Sequence, residues 1–228
     1  NQEILQQIFK NLDDTNKVML SGLSGSAKSF MLQEVFRHGS GRLLYIAAEE
    51  ERAYDLAREL QQLLGRDKVA LFMERDFVFK SENPTPSAMD RIATLTDLVM
   101  HPRRKTITIT TVGALLFCIM SPTQMQKATR SLVRGQDFPL HDLIRDLVGS
   151  GYERADTVTR SGQLALRGGI FDIFPAGAKD PYRADFFGDT VDSLRRFDIN
   201  CQRSGEKVDQ VVISPADELA GEGLTSSL

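Results

Sequence analysis

The stretch GLSGSAKS, which begins at Gly22, holds the residues whose types and spacing come nearest to a reactive site. Phosphate-binding loops follow the pattern G-x-x-x-x-G-K-[ST]. Here Gly22 and Gly25 precede Ala27, Lys28 and Ser29, so an alanine stands where the pattern has its second glycine. In an intact loop, Lys28 would reach the β and γ phosphates and Ser29 would hold Mg²⁺. Ala27 adds a Cβ where the backbone must wrap closely around its ligand.

Nucleotide hydrolysis also needs an acidic residue that holds Mg²⁺ at the end of another strand. The candidates are Glu49 and Glu50, which follow an apolar run at residues 43–48. Acidic side chains are also expected in the first turn of a helix, because they interact favourably with the helix dipole. We therefore interpret these glutamates as helix-start residues and predict a degenerate P-loop. Weak nucleotide binding stays open, and a working ATPase is the alternative.

Amino-acid composition, net charge and the spacing of histidines and cysteines narrow the class of protein. The 228 residues are 41% hydrophobic and 26% charged, which indicates a folded chain, and the net charge of −3 provides no general attraction for nucleic acid. The three histidines are scattered, and Cys118 and Cys201 show no metal or redox spacing. No apolar run approaches the roughly 20 residues of a membrane span, and no signal-peptide pattern is visible. We predict a cytoplasmic protein with reduced thiols.

Strand and helix patterns alternate through the first half of the chain. We predict helices over 2–12, 29–37, 51–64 and 86–100, and strands over 18–20, 43–48, 68–72 and 106–111. The run at 43–48 is typical of a buried parallel strand. This alternation predicts an α/β domain with a mostly parallel sheet, over residues 1–120.

The pattern changes after a turn-rich seam at 121–124. A helix is predicted over 139–149, and short strands with turns follow from 155 to 213, beginning with a strand signal at 156–160. This indicates a smaller α+β domain over 121–213. The Gly- and Ser-rich residues 214–228 are predicted to be a flexible tail or the start of a further domain.

Alternation in the stretch YRADFF suggests a surface on the second domain. It places Arg183 and Phe187 on the face opposite the core, and Arg167 takes the outer side of an earlier strand. An exposed aromatic beside arginines fits a protein-binding site. In the alternative, Phe187 packs under the turn and the arginines are solvated or pair with Asp172 and Asp185. DNA is disfavoured, because residues 151–228 carry 9 basic and 13 acidic residues.

Two longer stretches, ALRGGIFDIFP and PYRADFFGDTVDSLRRFD, resemble the second domain shared by the bacterial excision-repair protein UvrB and the transcription-repair coupling factor. The stretch GYERADTV resembles the same domain, and with the amino-terminal α/β unit the resemblance covers nearly the whole chain. It implies a RecA- or helicase-like first domain. Ala27, and the absence of tyrosine between residues 72 and 100, favour the coupling-factor branch, whose first domain has lost ATPase function.

The resemblance implies that this chain is a non-catalytic module that recruits UvrA. The family's contact residues correspond to Arg167, Arg183 and Phe187. A nucleotide-binding fragment of a UvrB-type excinuclease subunit is the alternative, and a P-loop ATPase of another family is a third hypothesis.

The same resemblance implies no cofactor for this segment. ATP and Mg²⁺ would serve the motor of a longer protein, an ATP-dependent DNA translocase that removes stalled RNA polymerase. RNA polymerase and DNA would bind other parts of that protein, and a further α/β piece would complete the first domain. We expect a monomer that does not bind membranes.

Overall fold

The computed structural model describes residues 2–75 and 86–218. The chain forms two compact units, Asn1–Gly39 and Ser40–Leu228. Among the described residues, no helix is long and apolar enough to cross a membrane.

The first unit contains two helices, α1 (Gln2–Thr15) and α2 (Ala27–His38). The ring of Phe9 in α1 stacks on that of His38 at the end of α2, with centroids 4.3 Å apart. The predicted strand at 18–20 is wrong, because residues 17–20 have no regular secondary structure and Met19 is 93% exposed. A strand forms only when its backbone groups pair with a neighbour, and no described strand pairs with these residues.

The second unit begins with a parallel three-stranded sheet, which confirms the predicted α/β class. Its strands are β1 (Leu43–Ala47), β2 (Val69–Phe72) and β3 (Ile107–Thr111), in the order β1-β3-β2. Helix α3 (Glu50–Leu64) connects β1 to the 3₁₀ turn Arg66–Lys68 before β2, and α4 (Pro86–Met100) precedes β3. Residues 76–85, which are part of the tyrosine-free stretch 72–100, lie outside the described residues.

The three strands differ in burial. All five residues of the central strand β3 are buried. Strand β1 lies at the edge of the sheet, and its Leu44 and Ile46 are 54% and 48% exposed. The strand predicted at 43–48 forms and is parallel as expected, but it is only partly buried. An apolar run marks a strand, but it does not reveal whether that strand is central or at an edge.

Two short helices follow, α5 (Val112–Leu115) and α6 (Pro122–Ala128). Helix α6 occupies the seam that the sequence predicted as a turn. The Ser121 side chain accepts a hydrogen bond from the backbone N–H of Gln124, and the Gln124 side chain accepts one from the backbone N–H of Ser121. This capping box, with Pro122 in the first turn, starts a helix, so the turn interpretation is wrong.

A larger sheet follows α7 (Leu140–Gly149). Its strands are β5 (Glu153–Arg154), β6 (Gln163–Arg167), β7 (Ile170–Ile173), β8 (Tyr182–Phe187), β9 (Thr190–Phe197) and β10 (Ser204–Lys207). They lie side by side in reverse chain order, and every pair is antiparallel except β5 with β6. A separate antiparallel pair joins β4 (Arg130–Val133) to β11 (Gln210–Ile213).

The strand predicted at 156–160 is absent. The side chain of Gln163 accepts hydrogen bonds from the backbone N–H groups of Thr159 and Arg160, at 3.0 and 3.3 Å. A side chain thus satisfies the backbone groups that a neighbouring strand would otherwise have to pair.

One face of the larger sheet packs against α7 and the β4–β11 pair. The buried cluster there contains apolar side chains from all three layers: Leu132, Leu140, Leu143, Ile144, Leu147, Tyr152, Leu164, Phe171, Ile173, Ala184, Val191, Leu194, Val211 and Ile213. Because side chains alternate along a strand, the residues between these cluster members belong to the opposite face. The predicted domain boundaries at 120 and 213 fall within the second compact unit and stay predictions.

Candidate protein-binding surface

The face of the larger sheet that points away from α7 carries a group of charged side chains. We call it the outer face and define it by Arg167, Asp172, Arg183, Asp185 and Arg195. Strand register brings these residues together, because Asp172 lies opposite Arg183 and Arg183 lies opposite Arg195. The sheet therefore assembles side chains from β6, β7, β8 and β9 into one polar surface.

Asp172 is the centre of this surface, and its exposed fraction is 0%. Nε of Arg183 donates to its Oδ1 at 2.6 Å, and Nη2 of Arg183 donates to Oδ2 at 2.8 Å. Nη2 of Arg167 donates to the same Oδ2 at 2.8 Å. One buried carboxylate thus accepts three charge-assisted hydrogen bonds from two arginines, which stabilises a charge that would be costly to bury alone.

The guanidinium group of Arg183 is held within the chain. Its Nη1 donates to the backbone oxygen of Gln202 at 3.1 Å, and its Cζ lies 4.8 Å from the centroid of the Phe197 ring. The hydrogen bonds to Asp172 raise the pKa of Arg183 above its ordinary value, although burial acts in the opposite direction. The side chain is only 14% exposed, so Arg183 lies on the predicted face but offers little of itself to a partner.

Arg167 is more accessible. It ends β6, and 49% of its side chain is exposed. Among the described residues, its one hydrogen bond goes to Asp172, and a guanidinium group has five N–H donors in all. Ile170, which lies opposite Arg167 in the register, is 39% exposed. Arg167 and Ile170 therefore form an accessible pair at the end of the β6–β7 hairpin.

Phe187 is the most exposed aromatic side chain on this part of the sheet, at 86%. It ends β8, and the two-residue loop Gly188-Asp189 leads directly into β9. Gly188 has a φ of +63°, a backbone conformation that tight hairpin loops require and that glycine adopts without strain. The predicted hairpin is confirmed. Of the alternative, the packing of Phe187 beneath the turn is wrong, but the pairing of the arginines with Asp172 is observed.

A β-bulge in β9 lies opposite the end of β8, next to Phe187. Asp185 pairs with Ser193, but Phe186 pairs with Val191, so β9 contains one extra residue at this point. The extra residue keeps Phe186 and Val191 together on the core side, where both contact the buried cluster. Phe187 then remains on the outer side of β8.

The hairpin that carries Phe187 is anchored to the start of α7. The backbone oxygen of Asp189 accepts a hydrogen bond from the Phe138 N–H at 2.7 Å. Its Oδ1 accepts one from the N–H of Leu140, the first residue of α7, at 3.3 Å. Because Pro139 at the N-cap supplies no side-chain cap, Asp189 takes that role. The position of Phe187 is thereby fixed by tertiary contacts.

The neighbouring β6–β7 turn approaches the same hairpin closely. The backbone oxygen of Gly169 accepts a hydrogen bond from the N–H of Phe186 at 2.7 Å. A Cβ on Gly169 would lie 2.7 Å from the backbone oxygen of Phe186. Glycine is therefore required at this position, and it places the turn after Arg167 beside the residue that precedes Phe187.

A second ion pair on the outer face was not predicted from the sequence. Nη2 of Arg195 donates to Oδ2 of Asp185 at 2.8 Å and to the hydroxyl of Ser193 at 2.6 Å. The sequence indicated Asp185 only as a pairing partner, and Arg195 was missed. Alternation along β9 would have placed Arg195 on this face, because its neighbour Leu194 is in the core.

The residues of the glycine-rich loop all lie in the first unit. Gly22 and Gly25 have φ values of +77° and +54°, and α2 begins at Ala27. Lys28 is half-buried and Ser29 is buried in the first turn of that helix. The loop therefore has left-handed glycines and a following helix, but the strand expected before it is absent from the described residues.

The candidate magnesium ligands take ordinary helix-start positions. Glu49 is the N-cap of α3, and Glu50 and Glu51 lie in its first turn. Oε2 of Glu49 lies 3.2 Å from Nε of Arg52 in an exposed ion pair. Among residues 2–75 and 86–218, no group of three or more histidine, cysteine, aspartate or glutamate side chains is arranged to hold a metal ion.

Residues 131–219, which run from β4 past β11 and build the outer face, match the sequence model of the UvrB interaction domain.

Almost the whole chain is also similar to transcription-repair-coupling factor. It is 30% identical over 217 residues to this protein from Staphylococcus aureus strains bovine RF122 / ET3-1 and USA300, and the match covers 94% of the chain. It is 29% identical to the protein of Staphylococcus haemolyticus strain JCSC1435, over 92% of the chain. The chain spans 18% of the length of these relatives. The predicted resemblance to the UvrB-like module of the coupling factor is thereby confirmed.

Proposed function

We propose that the outer face, together with Phe187 at the end of β8, binds UvrA, and that the chain is the UvrA-recruiting module of a transcription-repair coupling factor. The observation that carries this proposal is Phe187, an 86% exposed aromatic side chain on a hairpin that is anchored to α7. Aromatic and arginine side chains dominate the binding energy of protein interfaces, and a rigid anchor loses little conformational entropy on binding.

Charge on the outer face favours a protein partner over nucleic acid. Arg167 and Arg183 already share Asp172, and Arg195 is paired with Asp185. A surface that follows a phosphate backbone needs cations without such internal partners, because its affinity comes from replacing counterions. The net charge of the chain, −3, agrees with this choice.

The longer protein would supply the remaining activities. Its relatives are more than five times the length of this chain, since the chain spans 18% of them. ATP-dependent translocation on DNA and removal of stalled RNA polymerase would belong to those other parts. Cytoplasmic location and a monomeric state stay predictions.

Residues 22–29 form a relic of a phosphate-binding loop in this proposal, and the chain itself is not an enzyme. The absence of a strand at 17–20 supports this assignment, because an intact loop connects a strand to a helix. Glu49, a candidate Mg²⁺ ligand from the sequence, instead forms an exposed ion pair with Arg52, which is an ordinary surface role.

Titration of the 228-residue chain with purified UvrA tests the proposal. Phe187→Ala should weaken binding about 30-fold, which corresponds to roughly 2 kcal/mol, and should leave the melting temperature unchanged because the ring is exposed. Leu116→Ala is a matched control, since Leu116 is also 78% exposed but lies outside the outer face. Failure of the wild-type chain to bind UvrA, or equal affinity of the wild type and Phe187→Ala, would overturn the proposal.

A further inference from the structure

We infer that Asp172 is a positioning residue: its buried carboxylate holds Arg167 in the orientation that meets the partner, and Arg183 acts through the same carboxylate rather than by contact. This inference rests on the proposed UvrA-binding function of the outer face. It adds a residue to that site and separates the roles of the two arginines.

Burial excludes Asp172 itself from the contact. Its exposed fraction is 0%, and both carboxylate oxygens accept hydrogen bonds from arginine. An effect of Asp172 on partner binding must therefore pass through a neighbouring side chain. Its charged neighbours from β6 and β8 are Arg167 and Arg183.

The two arginines differ in what they present to a partner. Arg183 uses three of its nitrogen atoms for hydrogen bonds to Asp172 and Gln202, and 14% of its side chain is exposed. Arg167 uses one nitrogen atom for Asp172 among the described contacts, and 49% of its side chain is exposed. The accessible donors at this site therefore belong to Arg167.

Anchoring one nitrogen of Arg167 prepares the rest of its guanidinium group for a partner. A free arginine side chain loses rotamer freedom when it is fixed at an interface, and prior ordering removes that cost. The expected loss of affinity when the anchor is removed is about tenfold. Oδ2 of Asp172 accepts from both arginines, so the fork from Arg183 orients the oxygen that holds Arg167.

A double-mutant cycle on UvrA binding tests the inference. Asp172→Asn keeps the shape of the side chain and removes its charge. We expect it to weaken binding about tenfold in the wild-type chain and less than twofold in the Arg167→Ala background. Asp172→Asn should lower thermal stability in both backgrounds, because Arg183 loses its charged partner in each. A stability loss in the Arg167→Ala background without a matching loss of affinity separates positioning from general destabilisation. An equal loss of affinity in the two backgrounds would overturn the inference, because Asp172 would then act independently of Arg167.

A second cycle covers the case in which Asp172→Asn does not fold. Arg183→Lys keeps the positive charge but cannot form the two-pronged contact with Asp172. It should weaken UvrA binding in the wild-type chain and have less than a twofold effect in the Arg167→Ala background. If Arg183→Lys weakens binding equally in both, Arg183 contacts the partner directly and the inference is wrong.

Two controls separate this test from the test of the proposed function. Asp146→Asn removes a carboxylate that pairs with Arg130 at 3.1 Å, on α7 behind the opposite face of the sheet, and should leave UvrA affinity unchanged. Wild-type binding that is lost in Phe187→Ala supports the proposed function whatever the cycles show. If the wild-type chain binds UvrA but each substitution weakens binding equally in both backgrounds, only the role of Asp172 is contradicted.

Discussion

Arg91 and Glu218 form a buried, two-pronged ion pair between residues 127 positions apart in the chain. Nε of Arg91 donates to Oε1 of Glu218 at 2.8 Å, and Nη2 donates to Oε2 at 3.0 Å. Nη1 donates to the backbone oxygen of Met73 at 2.6 Å, and the guanidinium group lies 3.9 Å from the centroid of the Phe72 ring. The pair thus ties helix α4 and strand β2 to the residues that follow β11.

We predict that Glu218→Gln destabilises the chain by about 3–5 kcal/mol, because it leaves the charge of a 0% exposed arginine buried without its partner. Urea denaturation measures this change. Asp217→Asn is the control, since Asp217 pairs with Arg75 at 3.2 Å in a partly exposed position and should cost less than about 1 kcal/mol. Equal stabilities of the two variants would contradict the structural role of the buried pair.

Gly169→Ala should destabilise the larger sheet and weaken UvrA binding together. The added Cβ would lie 2.7 Å from the backbone oxygen of Phe186, so the β6–β7 turn must move away from the hairpin that carries Phe187. We expect a cost of about 1–3 kcal/mol in denaturant unfolding. Gly149→Ala, where no atom beyond the adjacent residues and the backbone of its own helix lies within 4 Å of the new Cβ, should be neutral or slightly stabilising. A fully stable Gly169→Ala chain would show that the close approach is not rigid.

Tyr152→Phe should cost about 1–3 kcal/mol at pH 8, because it leaves two buried backbone groups without a hydrogen-bond partner. The Tyr152 hydroxyl donates to the backbone oxygen of Ser214 at 2.8 Å and accepts from the N–H of Ala176 at 3.0 Å.

The same hydroxyl gives the chain an alkaline dependence. Burial raises the pKa of Tyr152 well above the ordinary value of 10.0. The folded chain therefore keeps this proton at a pH where the unfolded chain releases it. Its contribution to stability is complete below pH 10 and falls as the pH rises further. The stability difference between wild type and Tyr152→Phe should narrow above pH 10 in denaturant titrations, and a constant difference would contradict this origin.

The glycine-rich loop should bind no nucleotide at physiological concentration. We expect calorimetric titration with Mg-ATP to give the same signal for the wild type and for Lys28→Ala, and neither should hydrolyse ATP. Ala27→Gly, which restores the P-loop pattern, should not restore hydrolysis, because the strand before the loop is absent. Saturable ATP binding that Lys28→Ala abolishes would favour the UvrB-type alternative.

Local sequence signals predicted the elements of this fold well where periodicity and turn chemistry agreed. The helix at 86–100 has the predicted bounds, and the Gly188-Asp189 hairpin forms as expected. Local sequence signals failed where a distant residue or a side chain decides whether a strand forms and where it lies in the sheet. The Gln163 side chain replaces a strand pairing near Thr159, and the apolar run at 43–48 became an edge strand.

The sequence predicted which face of the sheet the site residues occupy, but not which side chains share a hydrogen-bond partner. Alternation placed Arg183 and Phe187 on the outer side of β8, and the exposure of Phe187 agrees with that. The role of Asp172 depends on the register of three strands, because both arginines reach it only after β6, β7 and β8 align. The sequence indicates Asp172 as one of two acidic partners for the arginines, but only the strand register shows that Arg167 and Arg183 share it. The pairing of Arg91 with Glu218 likewise depends on tertiary structure.

Site-specific photocrosslinking tests the central claim most directly. A benzophenone amino acid placed at Phe187 of the 228-residue chain should crosslink to UvrA on irradiation, and the same group placed at Leu116 should not. Efficient crosslinking from position 187 alone would identify the outer face as the surface that meets UvrA. Crosslinking from position 116 and none from 187, in a chain that binds UvrA, would place the contact elsewhere and contradict the account.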